Sequence, residues 1–185
     1  MKRCGWVGKD PIYVDYHDQE WGVPVYDSEL LFQHLLLDGA QAGLSWITIL
    51  KKRENYRQAF DGFNPEKMAR LTDQQLDKHL QNPGIVRNKL KVYGFRKNAI
   101  AYLNIQQQQS FSQFLWDFVD GKPIVNHWPS LDKVPTSTTQ SDAMSKALKK
   151  AGFTFVGTTI CYAFMQAVGM VNDHTTDCFR YGQIN

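Results

Sequence analysis

Apolar positions recur at helical spacing along most of the chain, and turn residues cut that pattern into segments. Leu30, Leu31, Leu35 and Leu36 share one side of a helix that Asp27 and Ser28 can cap and that loosens at Asp38-Gly39-Ala40. A second helix is predicted from Ser45 to about Phe60, broken at Asp61-Gly62. Asn64-Pro65-Glu66 then sets a cap before a proline at the first helical position. Thr72 and Gln75 have capping-box spacing and open a short helix that Asn82-Pro83-Gly84 stops. A long helix follows from about Arg87 to Gln108, with Leu90, Tyr93, Ala101 and Leu103 as apolar positions. Further helices are predicted over Ser110 to Asp120, Ser141 to Ala151 with a stop at Gly152, and roughly Gly157 to Met170. Gly121 to Thr139 reads as a proline-bearing connection, and residues 1–27 as an irregular arm rich in aromatics and glycine. No βα alternation and no solenoid repeat is present, so the fold class is mostly α, a single domain over 1–185.

Composition narrows the picture. The formal charge is only +3, a weak argument for nucleic acid by itself. Its distribution says more, because Lys78 to Trp116 holds six basic residues (Lys78, Arg87, Lys89, Lys91, Arg96, Lys97) and no acid. Such a field matches a phosphate backbone, although a solvated helix face has the same signature. Three cysteines are too few for a disulfide framework, no signal sequence is evident, and no run approaches the roughly 20 apolar residues of a membrane span. A cytoplasmic address without a membrane partner is expected.

Five features carry candidate chemistry. Cys4, His17, His174 and Cys178 are the residue types of a tetrahedral Zn²⁺ site. His174 and Cys178, four residues apart, can share one face and supply half of it, and the alternative is two unrelated pairs. Four protein ligands leave no open position, so such a site would be structural, joining 4–17 to 174–178, and a zinc hydrolase is disfavoured. The glycine turn at Gly84, with Arg87 and Lys89 behind it, offers a helix N-terminus to a phosphate; an ordinary glycine-stopped helix pair is the plainer reading. Trp6, Tyr13, Tyr16, Trp21 and Trp46 are numerous for a routine core and could stack a base turned out of a duplex. Asp38, ending an apolar helix, is either a solvated cap or a pocket carboxylate. Gln41-Ala-Gly43-Leu44 reads as an exposed tip whose leucine could wedge into a duplex gap.

These residues coincide with longer strings that resemble one family almost end to end. The strings are Arg3-Cys-Gly-Trp6, Tyr16-His-Asp18, Glu20-Trp-Gly-Val-Pro24, Gln41-Ala-Gly-Leu-Ser-Trp-Ile47, Lys51-Lys-Arg-Glu-Asn-Tyr56, Ser141-Asp142, Ser145-Lys-Ala-Leu-Lys-Lys150, Phe155-Val-Gly-Thr-Thr-Ile160 and Val171-Asn-Asp-His174. The chain resembles the constitutive bacterial DNA-3-methyladenine glycosylases of the helix-hairpin-helix superfamily. That resemblance implies a monomeric enzyme releasing 3-methyladenine, and weakly 3-methylguanine, from double-stranded alkylated DNA, and with no lysine positioned as a Schiff-base nucleophile the enzyme is expected to be monofunctional. It implies structural zinc on Cys4, His17, His174 and Cys178, and a base pocket of Tyr13, Tyr16 and Trp46 with Trp6 and Trp21 beside it. It also implies Gly43 and Leu44 at the DNA gap, and a hairpin around 73–108 that holds phosphates from Gly84 to Lys89.

One position departs from the family. Where relatives usually carry Glu in Leu-Glu-Gly this chain has Asp38, one methylene shorter, followed by Ala40 where a polar residue is common. Asp38 is expected to contact the base through a water or a small helix shift. Many glycosylases of the superfamily place a catalytic Asp one helix beyond the hairpin, and none occurs between Lys78 and Trp116. N3-methylation leaves the nucleotide base cationic and its glycosidic bond weak, so modest assistance suffices. The rival reading is a non-catalytic helix-hairpin-helix DNA-binding protein.

Overall fold

The computed structural model describes residues 1–184. It is mostly α, as the periodicity predicts, with ten α-helices and one two-residue strand pair among the described residues. α1 (Pro11–Gln19) lies within the segment expected to be irregular. Asp10 accepts from the Ile12 amide and Pro11 fills the first turn, the same cap-then-proline signal that marks Asn64-Pro65. The low apolar contrast of this short helix hid it from a periodicity reading.

α2 (Ser28–Gln41) is the spine. Asp27 caps it, and Leu31, Phe32, Leu35 and Leu36 are each at most 1% exposed. Full burial of such side chains is worth about 1.5–3 kcal/mol apiece. The helix does not loosen at Asp38-Gly39-Ala40 but runs on to Gln41. Gly39 is there for space, since a Cβ would lie 3.2 Å from the Phe155 side chain and carbonyl.

The helix expected over 45–60 is two, α3 (Trp46–Leu50) and α4 (Arg53–Ala59). α5 (Pro65–Ala69) and α6 (Asp73–His79) follow, the latter with the Thr72–Gln75 capping box formed. α7 (Lys89–Gln106) is capped by Asn88 and buries Val92, Phe95, Ala99, Ala101, Tyr102 and Ile105. Of the apolar positions expected for it, Leu90 is 74% exposed and Tyr93 only half-buried, so the buried stripe is rotated from the one expected. α8 (Phe111–Trp116) ends earlier than expected, passing through a 3₁₀ turn to Asp120 at φ 53°. α9 (Thr139–Lys150) is capped by Thr138, and α10 (Thr158–Ala167) buries Cys161, Tyr162, Phe164 and Met165.

The long connection before α9 contributes β1 (Ile124–Val125), which pairs in parallel with β2 (Val171–Asn172) just beyond α10. A main core gathers α2, α7, α8, α9 and α10. A smaller one, containing Cys4, Val7, Tyr16, Trp21, Ala167 and Cys178, draws both ends of the chain onto the end of α10. Gly169 makes that seat possible, because at φ 72° any Cβ would fall 2.5 Å from Pro24 N and 2.6 Å from the Gly22 carbonyl oxygen. No helix is long and apolar enough to cross a membrane.

Candidate base pocket and metal cluster

The aromatic residues of the N-terminal segment and Asp38 line one cavity of about 190 Å³. α1 supplies Tyr13 and Tyr16, α2 supplies Asp38 and Gln41, and α3 supplies Trp46. Trp6 and Trp21 come from the flanking arm, while α10 adds Ala163, Gln166 and Ala167. Trp6 sits 4.9 Å from the Tyr13 ring and 5.0 Å edge-on from Trp21, and Tyr16 sits 5.5 Å from Trp46. The rings therefore brace one another and leave π-faces for a planar ligand.

Asp38 is 3% exposed, and its Oδ2 has no partner in the protein. The reading of Asp38 as a solvated cap is thus excluded. Desolvation pushes its carboxyl well above the usual carboxylate range. Burial likewise raises the Tyr16 phenol, with the Asp38 charge adding to the effect. The Trp46 indole N–H is a second buried group without a partner on this cavity. Two unsatisfied polar groups beside an aromatic cavity are what a site made for a polar, flat ligand leaves behind.

Cys4, His17, His174 and Cys178 converge, all buried, with ligand atoms within 4.8 Å of one another. Cys4 Sγ lies 3.4 Å from His174 Nδ1, and Cys178 Sγ lies 3.5 Å from both His174 Nδ1 and His17 Nε2. The outward nitrogens are held as a metal site requires. His17 Nδ1 meets Asp18 at 2.8 Å and His174 Nε2 meets the Trp21 carbonyl at 3.1 Å. Arg3 grips Asp18 through Nε and Nη2, holding its carboxyl down at about 2. Burial lowers His174 to about 4, so its imidazole is neutral, and raises the Cys4 thiol to about 12. A thiol so placed becomes a ligand only when a cation stabilises its thiolate, and the donor set fits a metal ion.

The basic stretch is less uniform than its composition. Arg87 and Lys89 are exposed, but Lys91 is 7% exposed and turned inward. The Gly84 amide donates to Asn82 Oδ1 at 2.8 Å and the Val86 amide to the Tyr56 hydroxyl at 3.1 Å, so the turn expected to offer free amides to a phosphate has them occupied. Gly43 takes φ 77° in an open loop, and Leu44 beside it is 39% exposed.

A model of the methyladenine glycosylase family matches residues 6–181. The chain belongs to that family. It is 55% identical over 177 residues to the DNA-3-methyladenine glycosylase of Haemophilus influenzae, covering 95% of this chain and 96% of that one. It is 53% identical over 182 residues to DNA-3-methyladenine glycosylase 1 of Escherichia coli K12, covering 98% and 97%. A crystal structure of a 3-methyladenine DNA glycosylase I superposes with a TM-score of 0.95 at 56% identity, over 96% of this chain and 98% of that one. A tyrosine-to-phenylalanine variant of a 3-methyladenine DNA glycosylase I, in complex with 3-methyladenine, superposes at 0.93 with 41% identity over 97% of each chain.

Pocket residues that sequence reasoning missed are Gln166 and Asp173, with Leu131 and Val134 from the connection before α9. Asp173 stands in one of the strings that mark this methyladenine glycosylase, but nothing local links it to a cavity walled by α1 and α2.

Proposed function

We propose that this chain is a monofunctional DNA glycosylase that releases 3-methyladenine from alkylated double-stranded DNA in base-excision repair. Asp38 carries the reading: a buried carboxyl group with an unpartnered oxygen, in an aromatic-walled cavity with room for one base. An N3-methylated nucleotide is cationic, so stacking against Tyr13, Tyr16 and Trp46 favours it over ordinary adenine. Asp38 ionises as the cation enters and accepts from the base edge, directly or through one water. Water then attacks the sugar carbon as the weakened glycosidic bond breaks, the electron pair leaves with the neutral base, and the proton lost by the water passes to solvent. No lysine lines the cavity among the described residues, which disfavours a Schiff-base lyase.

DNA grip comes chiefly from α9 and α10. These helices pack together through residues 151–157, a tighter hairpin than the expected pairing of α6 with α7. Asn98 on α7 clamps the turn through both Thr154 backbone groups, at 3.1 and 2.8 Å. α10 has no side-chain cap at Gly157, so its first amides and its dipole are available to a phosphate, and Lys149 and Lys150 are exposed at the end of α9. The same helix continues into the pocket wall at Gln166, which ties the grip to the flipped base. Arg87 and Lys89 add outlying phosphate contacts, and Leu44 fills the gap in the stack. The metal is structural zinc, for which a tetrahedron with Zn–S of about 2.3 Å and Zn–N of about 2.0 Å has edges near the observed sulfur–nitrogen separations. It supplies no chemistry to the reaction; Cys4, His17, His174 and Cys178 use it to fasten the aromatic arm.

The test is incubation with methylated duplex DNA and chromatography of released bases. Release of 3-methyladenine but not 7-methylguanine, lost in Asp38→Ala, is expected. DNA binding without release of any base would make the chain a binding protein on a glycosylase scaffold.

A further inference from the structure

Asp173 is 2% exposed, and its carboxylate accepts four hydrogen bonds. Asn126 Nδ2 at 2.7 Å and Trp128 Nε1 at 2.8 Å reach Oδ1; the Tyr162 hydroxyl at 2.6 Å and Gln166 Nε2 at 2.9 Å reach Oδ2. Its lone pairs are taken, so Asp173 has little to offer a ligand although it borders the base cavity. What it does offer is orientation.

Tyr162 and Gln166 lie one turn apart on α10 and converge on the same oxygen, while Asn126 and Trp128 hold the other from the strand-bearing connection. An acceptor on that side fixes which end of the Gln166 amide faces it, namely the nitrogen. The amide oxygen is left over. Among the described residues no donor reaches it, it is not sealed inside the protein, and its side chain lines the cavity.

The geometry points to Gln166 as a specificity-determining residue: its amide, oriented by Asp173, presents an oxygen acceptor from the α10 wall to the exocyclic amino group of a bound adenine. This rests on the 3-methyladenine reading. Adenine carries an amino donor at position 6, where guanine carries a carbonyl acceptor. An oxygen locked toward that position completes a hydrogen bond with 3-methyladenine and opposes another acceptor in 3-methylguanine. Without Asp173 the amide could rotate and offer its nitrogen, accepting either base; the carboxylate is therefore the positioning residue behind the discrimination.

The experiment compares kcat/KM for duplexes carrying 3-methyladenine or 3-methylguanine, using the parent protein and Gln166→Met, which keeps length and loses the acceptor. The expected result is a fall of about 10- to 100-fold for 3-methyladenine, with 3-methylguanine changed by no more than about twofold. Asp173→Asn should move the same ratio in the same direction. A general packing defect would instead lower both rates together. As a check that needs no variant, the parent should be inhibited more strongly by free 3-methyladenine than by free 3-methylguanine. An unchanged ratio in Gln166→Met, or equal inhibition by the two bases, overturns the proposal while leaving the glycosylase reading intact. Release of neither base by the parent overturns both.

Discussion

Lys91 on α7 points its ammonium at the end of α2 and donates to the Ala40 carbonyl at 2.8 Å, with a second bond to the Ala42 carbonyl at 2.5 Å. Helix C-termini leave carbonyls unpaired, and a cation there satisfies them while opposing the negative end of the dipole. The contact fixes the Gln41–Leu44 corner, which has Asp38 on one side of it and Trp46 on the other, to the helix that also clamps the α9–α10 turn.

Replacing that ammonium tests its weight. Lys91→Met keeps much of the buried stem but leaves two carbonyls without a donor. The expected cost is about 2–3 kcal/mol, from the usual strength of hydrogen bonds to charged groups, and urea unfolding measures it. Activity should fall beyond any loss of folded protein, because the loop bearing Leu44 is released. A variant as stable and active as the parent would make the contact incidental.

Asp38 sets stability against function. In the unfolded chain its carboxyl ionises near about pH 3.9, whereas burial raises it well above that in the folded chain. Between the two values the unfolded state gives up a proton that the folded state keeps. Stability contributed by this group is therefore complete below the unfolded pKa, falls as pH rises, and stays low above the folded pKa. Asp38→Asn should be more stable than the parent at neutral pH by about 1–2 kcal/mol, converge with it toward about pH 4, and lose base release. Urea midpoints of the pair across that range measure the difference. Equal midpoints at neutral pH would mean that the carboxyl is not strained.

Legibility followed sequence distance. Leu31, Leu35 and the capping box at Thr72 are local patterns, and each appears where the spacing predicts it. The convergence of Cys4, His17, His174 and Cys178 was visible because thiols and imidazoles are rare enough to count, even across the whole chain. Lys91 was misread because charge in a sequence carries no direction, and only packing turns one lysine of a basic stretch inward. Gln166 and Asp173 were missed because their meaning lies in a hydrogen-bond network joining α10, β2 and the connection before α9. α1 was missed although Asp10-Pro11 announces it, since its buried face is made of Tyr16 and His17 rather than aliphatic residues.

The candidate metal cluster gives a prediction at its outer layer. Asp18 touches both His17 and Arg3, so Asp18→Asn keeps its shape while weakening the hold on the imidazole. A loss of about 10- to 100-fold in metal affinity is expected, measured by chelator competition. Where the cluster holds the proposed metal, a chelator should loosen the aromatic arm through Trp6 and Trp21, seen as a change in tryptophan emission and a lower melting temperature. A chain that binds metal equally well after the change would mean that Asp18 serves Arg3 alone.

The two candidate phosphate grips separate by salt dependence. Each lysine or arginine that neutralises a phosphate releases counterions, so its removal flattens the dependence of affinity on salt by about one unit of slope. Lys149→Ala and Lys150→Ala should each weaken duplex binding and reduce that slope, because these exposed side chains close the helix that packs against α10. Arg87→Ala and Lys89→Ala should do less, since the amides at their turn are already bonded to Asn82 and Tyr56 and only the side chains can contribute. Equilibrium titration of a short duplex at several salt concentrations reads all four variants. The reverse ranking would return the main grip to the turn at Gly84 and remove α10 as the proposed link between phosphate and pocket.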